Sequence, residues 1–353
     1  MRFKSFMATL ETLNIDAFLV SDVKNVYYFT GFRDVSNSAL NLLITPKDEP
    51  ILLVPMLSFS AANKNAKNCI VIGLNFGEKN IDKLFALIRN LRAKTIHFDS
   101  LPVQTYVKII KMLDIFFVPN PELVMALRRI KDQTEISYIR KACELASIGV
   151  NAGMEAIKPG VKEYEIAATM EYAMRRSGSE GTSFETIVAS GPRSVYPHGM
   201  ASTRVIQKGD LVTLDLGATY AGYCSDITRT VVVGVSSSKQ SQILDLVFRA
   251  NTEALHKLCA GEKAKDIDSV ARGILTQEGY GKYFIHGLGH GVGLSVHELP
   301  VISPSSQDIL EDGNVVTNEP GLYIENFGGV RIEDTVLVKK DRAERLTDAP
   351  YFL

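Results

Sequence analysis

Residues 211–231 read Leu211-Val-Thr-Leu-Asp-Leu-Gly-Ala-Thr-Tyr-Ala-Gly-Tyr-Cys-Ser-Asp-Ile-Thr-Arg-Thr-Val231. Two runs rich in apolar and β-branched residues, 211–217 and 223–233, flank a turn near Tyr220-Ala221, which predicts an antiparallel hairpin. A hairpin centred there sets Asp215 opposite Asp226. Asp215 then shares a face with Leu211 and Thr213, and Asp226 with Thr228 and Thr230. Two carboxylates across one ladder repel and destabilise it, whereas a cation held between hard oxygen ligands reverses that sign. Two solvated turn aspartates would read the same way, so the hairpin by itself leaves both readings open.

The period of two continues on either side, over 185–190, 283–297, 314–325 and 329–338. Helical patterns lie between and before these runs, at 163–176, 241–259 and 265–277. A longer one has Ile136, Ile139, Cys143, Ala146, Val150 and Ile157 on one face. Asp132 with Glu135 forms a capping-box pattern at its start, and Pro159-Gly160 stops it. Helices grouped apart from mostly antiparallel strands indicate an α+β class. Upstream, short apolar runs at 16–20, 39–45, 51–55, 70–73, 95–98 and 115–118, with helical spacing over 81–92 and 103–113, predict a small α/β domain ending near Pro121. A length of 353 residues fits two domains. The expected division is 1–122 and 123–353, with a linker helix from about residue 132.

Composition narrows the function classes. With 39 Lys+Arg against 40 Asp+Glu, the chain lacks the basic excess of a nucleic-acid binder. The cysteines Cys69, Cys143, Cys224 and Cys259 form no CxxC pair, so a zinc knuckle or disulfide scaffold is not indicated, and free thiols in a reducing cytosol are expected. The N-terminus lacks a signal-peptide core, and the apolar stretch Ile51 to Ala62 is too short to span a bilayer. These features predict a cytoplasmic protein with neither nucleic-acid nor membrane partners.

The late strands hold further potential ligands. Phe284-Ile-His-Gly-Leu-Gly-His-Gly-Val-Gly-Leu-Ser-Val-His-Glu places His286, His290 and His297 within twelve positions. His286 and His290 are four apart, but Gly287, Gly289, Gly291 and Gly293 argue against a helix, at about 1 kcal/mol each. This is therefore no helical zinc-protease motif, and Val292 and Leu294 break a dinucleotide-binding pattern. The glycines are expected to let the backbone approach a metal or substrate closely. Glu319 precedes Pro320, where the chain is held extended. Glu333 alternates with Val330 and Ile332 and so faces away from them. Taken singly, each reads as an exposed strand glutamate. Together, Asp215, Asp226, His290, Glu319 and Glu333 could neutralise two divalent cations, with Mn²⁺, Co²⁺ or Zn²⁺ suiting such oxygen-rich ligands.

The order DLG, SDITRT, HGLGHGVGL, VHE, NEPGLY and GGVRIED resembles the pita-bread metallopeptidases, which include methionine aminopeptidase, Xaa-Pro aminopeptidase, prolidase and the metal-free creatinase. The resemblance covers roughly residues 130 to 353. Asn25-Val-Tyr-Tyr-Phe-Thr-Gly-Phe extends it to a creatinase-type N-terminal domain. It implies a pita-bread catalytic domain that binds two divalent metal ions. Asp215 would bind one metal and His290 the other, Asp226 and Glu333 would bridge them, and Glu319 would be both ligand and general base and acid. His297 would stabilise an oxyanion, His198 would contact substrate near the scissile bond, and His286 would line the proline side. Arg331 would support the bridging carboxylates, on the substrate side of the site. Tyr223 and Thr228 would stand behind the ligands.

The implied substrates are proline-containing dipeptides or short peptides, and the implied assembly is a homodimer. The size is most similar to compact prokaryotic prolidases, with Xaa-Pro aminopeptidase as the alternative and a non-catalytic peptide-binding relative further away. Two positions depart from the pattern. Asn318 stands where the family usually has an aliphatic residue, and Val301 stands where prolidases often carry arginine near the dipeptide's carboxylate.

Overall fold

The computed structural model describes residues 2–34, 40–75, 77 and 79–351. The chain divides into two compact units, Met1–Leu127 and Arg128–Leu353.

The first unit runs α1 (Arg2–Thr12), β1 (Ala17–Val20), α2 (Val23–Thr30), β2 (Asn41–Ile44), β3 (Ile51–Pro55), α3 (Met56–Asn65), β4 (Ile70–Leu74), α4 (Asn80–Leu91), β5 (Thr95–Phe98), α5 (Val103–Met112), β6 (Phe116–Pro119) and α6 (Glu122–Arg129), the last reaching into the second unit. Its six strands form one mixed sheet in the order β4-β3-β2-β1-β5-β6. The six expected strands are all present; the run 39–45 forms a strand over Asn41–Ile44, and Ala39 lies outside the described residues. Four helices, α1, α2, α3 and α6, escaped the sequence reading. In α1, Phe3, Phe6 and Leu10 are buried at one-face spacing. In α2, Asp22 caps the N-terminus by accepting from the amides of Lys24 and Asn25, and Gly31 ends the helix at φ +69°. The apolar stretch beginning at Ile51 turns from strand into α3.

The second unit runs α7 (Gln133–Ala156), α8 (Glu163–Arg176), β7 (Gly181–Thr182), β8 (Ile187–Ser190), β9 (Leu211–Leu216), β10 (Ala218–Tyr220), β11 (Tyr223–Cys224), β12 (Ile227–Val232), α9 (Ser238–Lys257), α10 (Ala264–Gln277), β13 (Gly289–Gly291), β14 (Glu298–Ile302), β15 (Val315–Asn318), β16 (Gly321–Ile324), β17 (Gly328–Arg331), β18 (Asp334–Val338) and β19 (Ala343–Arg345). Its strand pairs are antiparallel among the described residues, as the α+β reading expects. The Asp132–Glu135 capping box forms at α7. Ser237 caps α9 by accepting from the Gln240 amide. Among the described residues no helix is long and apolar enough to cross a membrane.

Alternation along the strands sorts the side chains. In β9, Val212, Leu214 and Leu216 pack into the core under α7 and α8, so Thr213 and Asp215 face the other way. Val316, Val330 and Ile332 pack with α9 and α10, which turns Thr317, Arg331 and Glu333 away from those helices. The polar faces left over carry the candidate ligands.

One register differs from expectation. β9 and β12 pair Asp215 with Thr228, not with Asp226. The tip of the hairpin lies between Ala221 and Gly222, one residue beyond the predicted centre, and Ala221 adopts φ +47° there. Moving the centre by one residue shifts the register by two. Side chains alternate with period two, so Asp215 and Thr228 still share a face.

Candidate metal centre

His290 is the middle residue of β13, and its amide donates to Thr317 Oγ1 at 3.0 Å. Its Nδ1 lies 3.1 Å from Gly291 O, a pairing that needs the proton on Nδ1 and leaves a lone pair on Nε2. That Nε2 is 3.3 Å from Glu319 Oε1 and 3.8 Å from Asp226 Oδ2. Thr317 Oγ1 in turn donates to Glu319 Oε1 at 3.1 Å. Asp226, His290 and Glu333 each offer one ligand atom, and the three atoms lie within 4.8 Å of one another.

Asp215 reaches the cluster through Arg331, whose Nη2 donates to Asp215 Oδ2 at 2.6 Å. Arg331 Nε donates to Thr228 Oγ1 at 3.1 Å, and Thr228 Oγ1 donates to Glu333 Oε2 at 2.6 Å. Fully buried Arg229 holds the Glu333 carbonyl from Nη1 at 2.6 Å.

Crowding sets the electrostatics. Burial first, then the charges of Glu333, Asp215 and Glu319, hold the Asp226 carboxyl well above its ordinary range. Burial, then Glu319 and Asp215, does the same to Glu333. Burial lowers the His290 pKa, keeping its ring neutral. Asp215 Oδ1 and Glu333 Oε1 are buried and have no hydrogen-bond partner. Orphaned carboxylate oxygens in a crowded anionic pocket are what a bound cation would satisfy, so the residues fit a divalent-metal site.

The histidines divide. His297 is exposed, with its ring centroid 4.1 Å from that of His290. Partial desolvation of its ring, then the nearby His290 and His198, pushes its pKa down to about 4. His198 is exposed and near enough for its charge to act on His297. His286 is half-buried, with Nδ1 on Gly287 O at 2.8 Å and Nε2 on the Tyr323 hydroxyl at 3.0 Å. Both of its nitrogens are engaged, so it offers a substrate a ring face. Arg331 stands with its guanidinium against Asp215 and Thr228. It is buried, and all three of its guanidinium nitrogens donate within the protein, to Thr228, Tyr323, Asp215 and Pro197. A cavity of about 830 Å³ opens beside Tyr323, with Tyr196, Pro197, Ile285 and Phe327 also on its walls.

Gly287, Gly289 and Gly291 of the 287–293 stretch leave room for neighbouring backbone. A Cβ on Gly289 would stand 2.2 Å from Thr317 O, and one on Gly291 2.2 Å from Leu299 O. They let β13 press against its neighbouring strands, with His290 between them.

The family model described as metallopeptidase family M24 matches residues 137–340, and that of the creatinase/prolidase N-terminal domain matches residues 2–130. The chain belongs to metallopeptidase family M24. Within the family, a Xaa-Pro dipeptidase of Pyrococcus furiosus is 40% identical over 98% of this chain and 97% of its own. The solved prolidase of Pyrococcus horikoshii superposes with a TM-score of 0.93 at 40% identity, over 99% of this chain and 98% of that one. An X-Pro aminopeptidase from Thermotoga maritima superposes with a TM-score of 0.90 at 35% identity, over 99% and 98%. This M24 chain accordingly has the pita-bread catalytic fold behind a creatinase-type N-terminal domain, and it is a metallopeptidase that takes divalent metal ions.

Some residues of this M24 site were not singled out from the sequence. Tyr323 joins Arg331 to His286. Arg272 of α10 donates to the carbonyls of Phe284 and His286, and Asp268 accepts from the Leu288 amide. The available signal was an i,i+4 Asp–Arg pair on a helix, a pattern that surface helices also show.

Proposed function

We propose that this chain is a Xaa-Pro dipeptidase that uses two divalent cations, Mn²⁺, Co²⁺ or Zn²⁺, held by Asp215, Asp226, His290, Glu319 and Glu333. The observation that carries the reading is the buried carboxylate cluster with two orphaned oxygens, in a chain 40% identical end to end to a Xaa-Pro dipeptidase. When bound, the cations supply positive charge that polarises a carbonyl and acidifies water.

The protein's own groups do the rest. Glu319 is the ligand on the open side, its side chain 17% exposed against 7% for Asp226. It takes a proton from water and returns it to the departing prolyl nitrogen. His297, exposed and with its ring against that of His290, is neutral at pH 7, so it donates a hydrogen bond to the developing oxyanion without adding charge. His198 positions the scissile bond, and the His286 ring packs against the proline. An acylated prolyl nitrogen carries no N–H, so recognition falls on ring packing and on the substrate's free amine. Homodimeric assembly in the cytoplasm belongs to the same proposal.

One observation favours Xaa-Pro aminopeptidase activity on longer peptides. Val301 pairs with His290 across the β13–β14 ladder and is 41% exposed. The two side chains share a face, so the site mouth has an apolar side chain where a cation would hold a dipeptide's carboxylate. Hydrolysis of Met-Pro and Met-Pro-Ala by metal-stripped protein, with each cation added back, separates the readings. Cleavage of Met-Pro supports the dipeptidase, preference for Met-Pro-Ala makes it an aminopeptidase, and cleavage of neither overturns both.

A further inference from the structure

Among the residues buried along α9, Ile243, Leu244, Leu246, Val247, Ala250 and Ala254 are apolar and Asn251 is polar. Asn251 is 1% exposed and sits at helical spacing with Leu244, Val247 and Ala254. An amide in such a place is costly unless its N–H groups are paired. Asn251 Nδ2 donates to two carbonyls, Asn318 O at 2.9 Å and Ile332 O at 3.2 Å. Those carbonyls belong to the peptide units immediately before Glu319 and Glu333. The N–H ends of the same two units are held as well. Glu319 N donates to Leu288 O at 2.9 Å, and Glu333 N to Thr228 O at 3.1 Å. Asn318 answers from the strand side, its Nδ2 donating to the Asn251 backbone carbonyl at 2.9 Å.

We infer that Asn251 is a positioning residue for the metal centre, its one amide nitrogen setting the spacing between the peptide units that carry Glu319 and Glu333. The inference rests on the two-cation reading. A peptide plane tied at both ends does not rotate, so the direction of the following Cα–Cβ bond is fixed. Here both planes share one donor, which couples the placement of the two carboxylates. Metal sites depend on such outer contacts nearly as much as on the ligands. The Asn318 departure acquires a reason: the residue lies on the strand face turned to α9, and it closes the bracket on Asn251.

A purely structural role, polar groups satisfied in a core, makes a different forecast. Asn251→Leu removes the shared donor, and Asn251→Leu/Asn318→Leu removes both amides and leaves an apolar contact. Co²⁺ binding by calorimetry and the visible absorption of the Co²⁺-loaded full-length chain are measured for both. Val247→Ala serves as a control that loosens the same helix face. Both leucine variants are expected to bind Co²⁺ about 10–100-fold more weakly, with a changed absorption band. Val247→Ala is expected to melt earlier and keep the wild-type affinity.

Native affinity and spectrum in a folded leucine variant overturn the inference. So does an equal loss of affinity in Val247→Ala. Should the leucine variants not fold, Asn251→Ser carries the same test, since it can serve one carbonyl and not both. A wild-type chain that binds no Co²⁺ refutes the two-cation reading itself, a result distinct from the others.

Discussion

Arg331 Nη2 and Asp215 Oδ2 stand 2.6 Å apart with both side chains nearly sealed from solvent, 5% and 10% exposed. The same guanidinium reaches Thr228 and Tyr323. A planar fork can serve these partners at once and a lysine cannot. Removing it strands a buried carboxylate beside three others, a loss of about 3–5 kcal/mol. Arg331→Met should therefore lower the melting temperature of metal-free protein, and Arg331→Lys should recover only part of the difference. An unchanged midpoint for Arg331→Met would show that Asp215 needs no buried partner.

The glycines flanking His290 should tolerate no side chain. Their missing Cβ atoms would collide with backbone oxygens of β15 and of the β14 segment, and backbone cannot rotate aside as a side chain can. Gly289→Ala or Gly291→Ala must push strands apart, at about the 1–3 kcal/mol of core overpacking or more. Thermal unfolding reads the stability and Co²⁺ calorimetry the displaced ligand; native values for both would mean that the sheet yields freely.

How much of this was open to sequence reading depends on the range of each signal. Asp215 and Glu333 declared themselves by alternation, because period two is local and an apolar neighbour fixes the face, and Glu319 by the extended chain before Pro320. The pairing of Asp215 was misjudged because register depends on where the turn closes, and Ala221 gives no warning of its positive φ. Helices α1 and α3 were missed because their short apolar spacing competes with strand-like runs nearby. Asn251 could not be read at all. Its meaning lies in two carbonyls 67 and 81 residues away, and no local pattern encodes a contact between side chain and distant backbone.

The catalytic assignment predicts two different kinetic signatures. Glu319→Gln keeps the side-chain shape and removes the proton acceptor, so turnover should fall by several orders of magnitude, with metal content measured alongside. Wild-type turnover in metal-replete Glu319→Gln would sink the assignment. His297→Ala should lower kcat more than it raises KM, because an oxyanion contact forms chiefly in the transition state; an unchanged kcat removes His297 from that role.

Metal removal should invert the pH dependence of stability. In the stripped protein, burial and neighbouring carboxylates hold Asp226 and Glu333 above the ordinary range. As pH rises from about 4, the unfolded chain releases protons that the folded chain still binds. Stability must then fall with rising pH until those carboxylates ionise. Bound cations compensate the charge and displace the protons, so the fall should vanish on reloading and proton release should accompany binding. Melting temperatures from pH 4 to 8, with and without Co²⁺, check this; parallel curves would contradict it.

The residue after His297 behaves in the opposite sense. Glu298 is buried, which by itself would raise its pKa, but Lys131 and Arg128 outweigh burial and hold it below the ordinary range. Lys131 Nζ lies 2.8 Å from Glu298 Oε1, and Arg128 pairs with Oε2 while also donating to Ser295 Oγ at 3.2 Å. The carboxylate thus ties the loop that carries His297 to the start of the catalytic unit. A depressed carboxyl contributes its full stability above the unfolded value, about 4.3, and loses it as pH falls through the folded value. Glu298→Gln removes the charge that Lys131 and Arg128 share, so at pH 7 it should melt well below wild type. The gap should narrow as pH falls from about 4.3 through the lower folded value, where the wild-type carboxyl takes up its own proton. A gap that stays constant from pH 7 to 3 would mean that the glutamate holds the loop by shape alone, and the two cations would then have to find their compensation elsewhere.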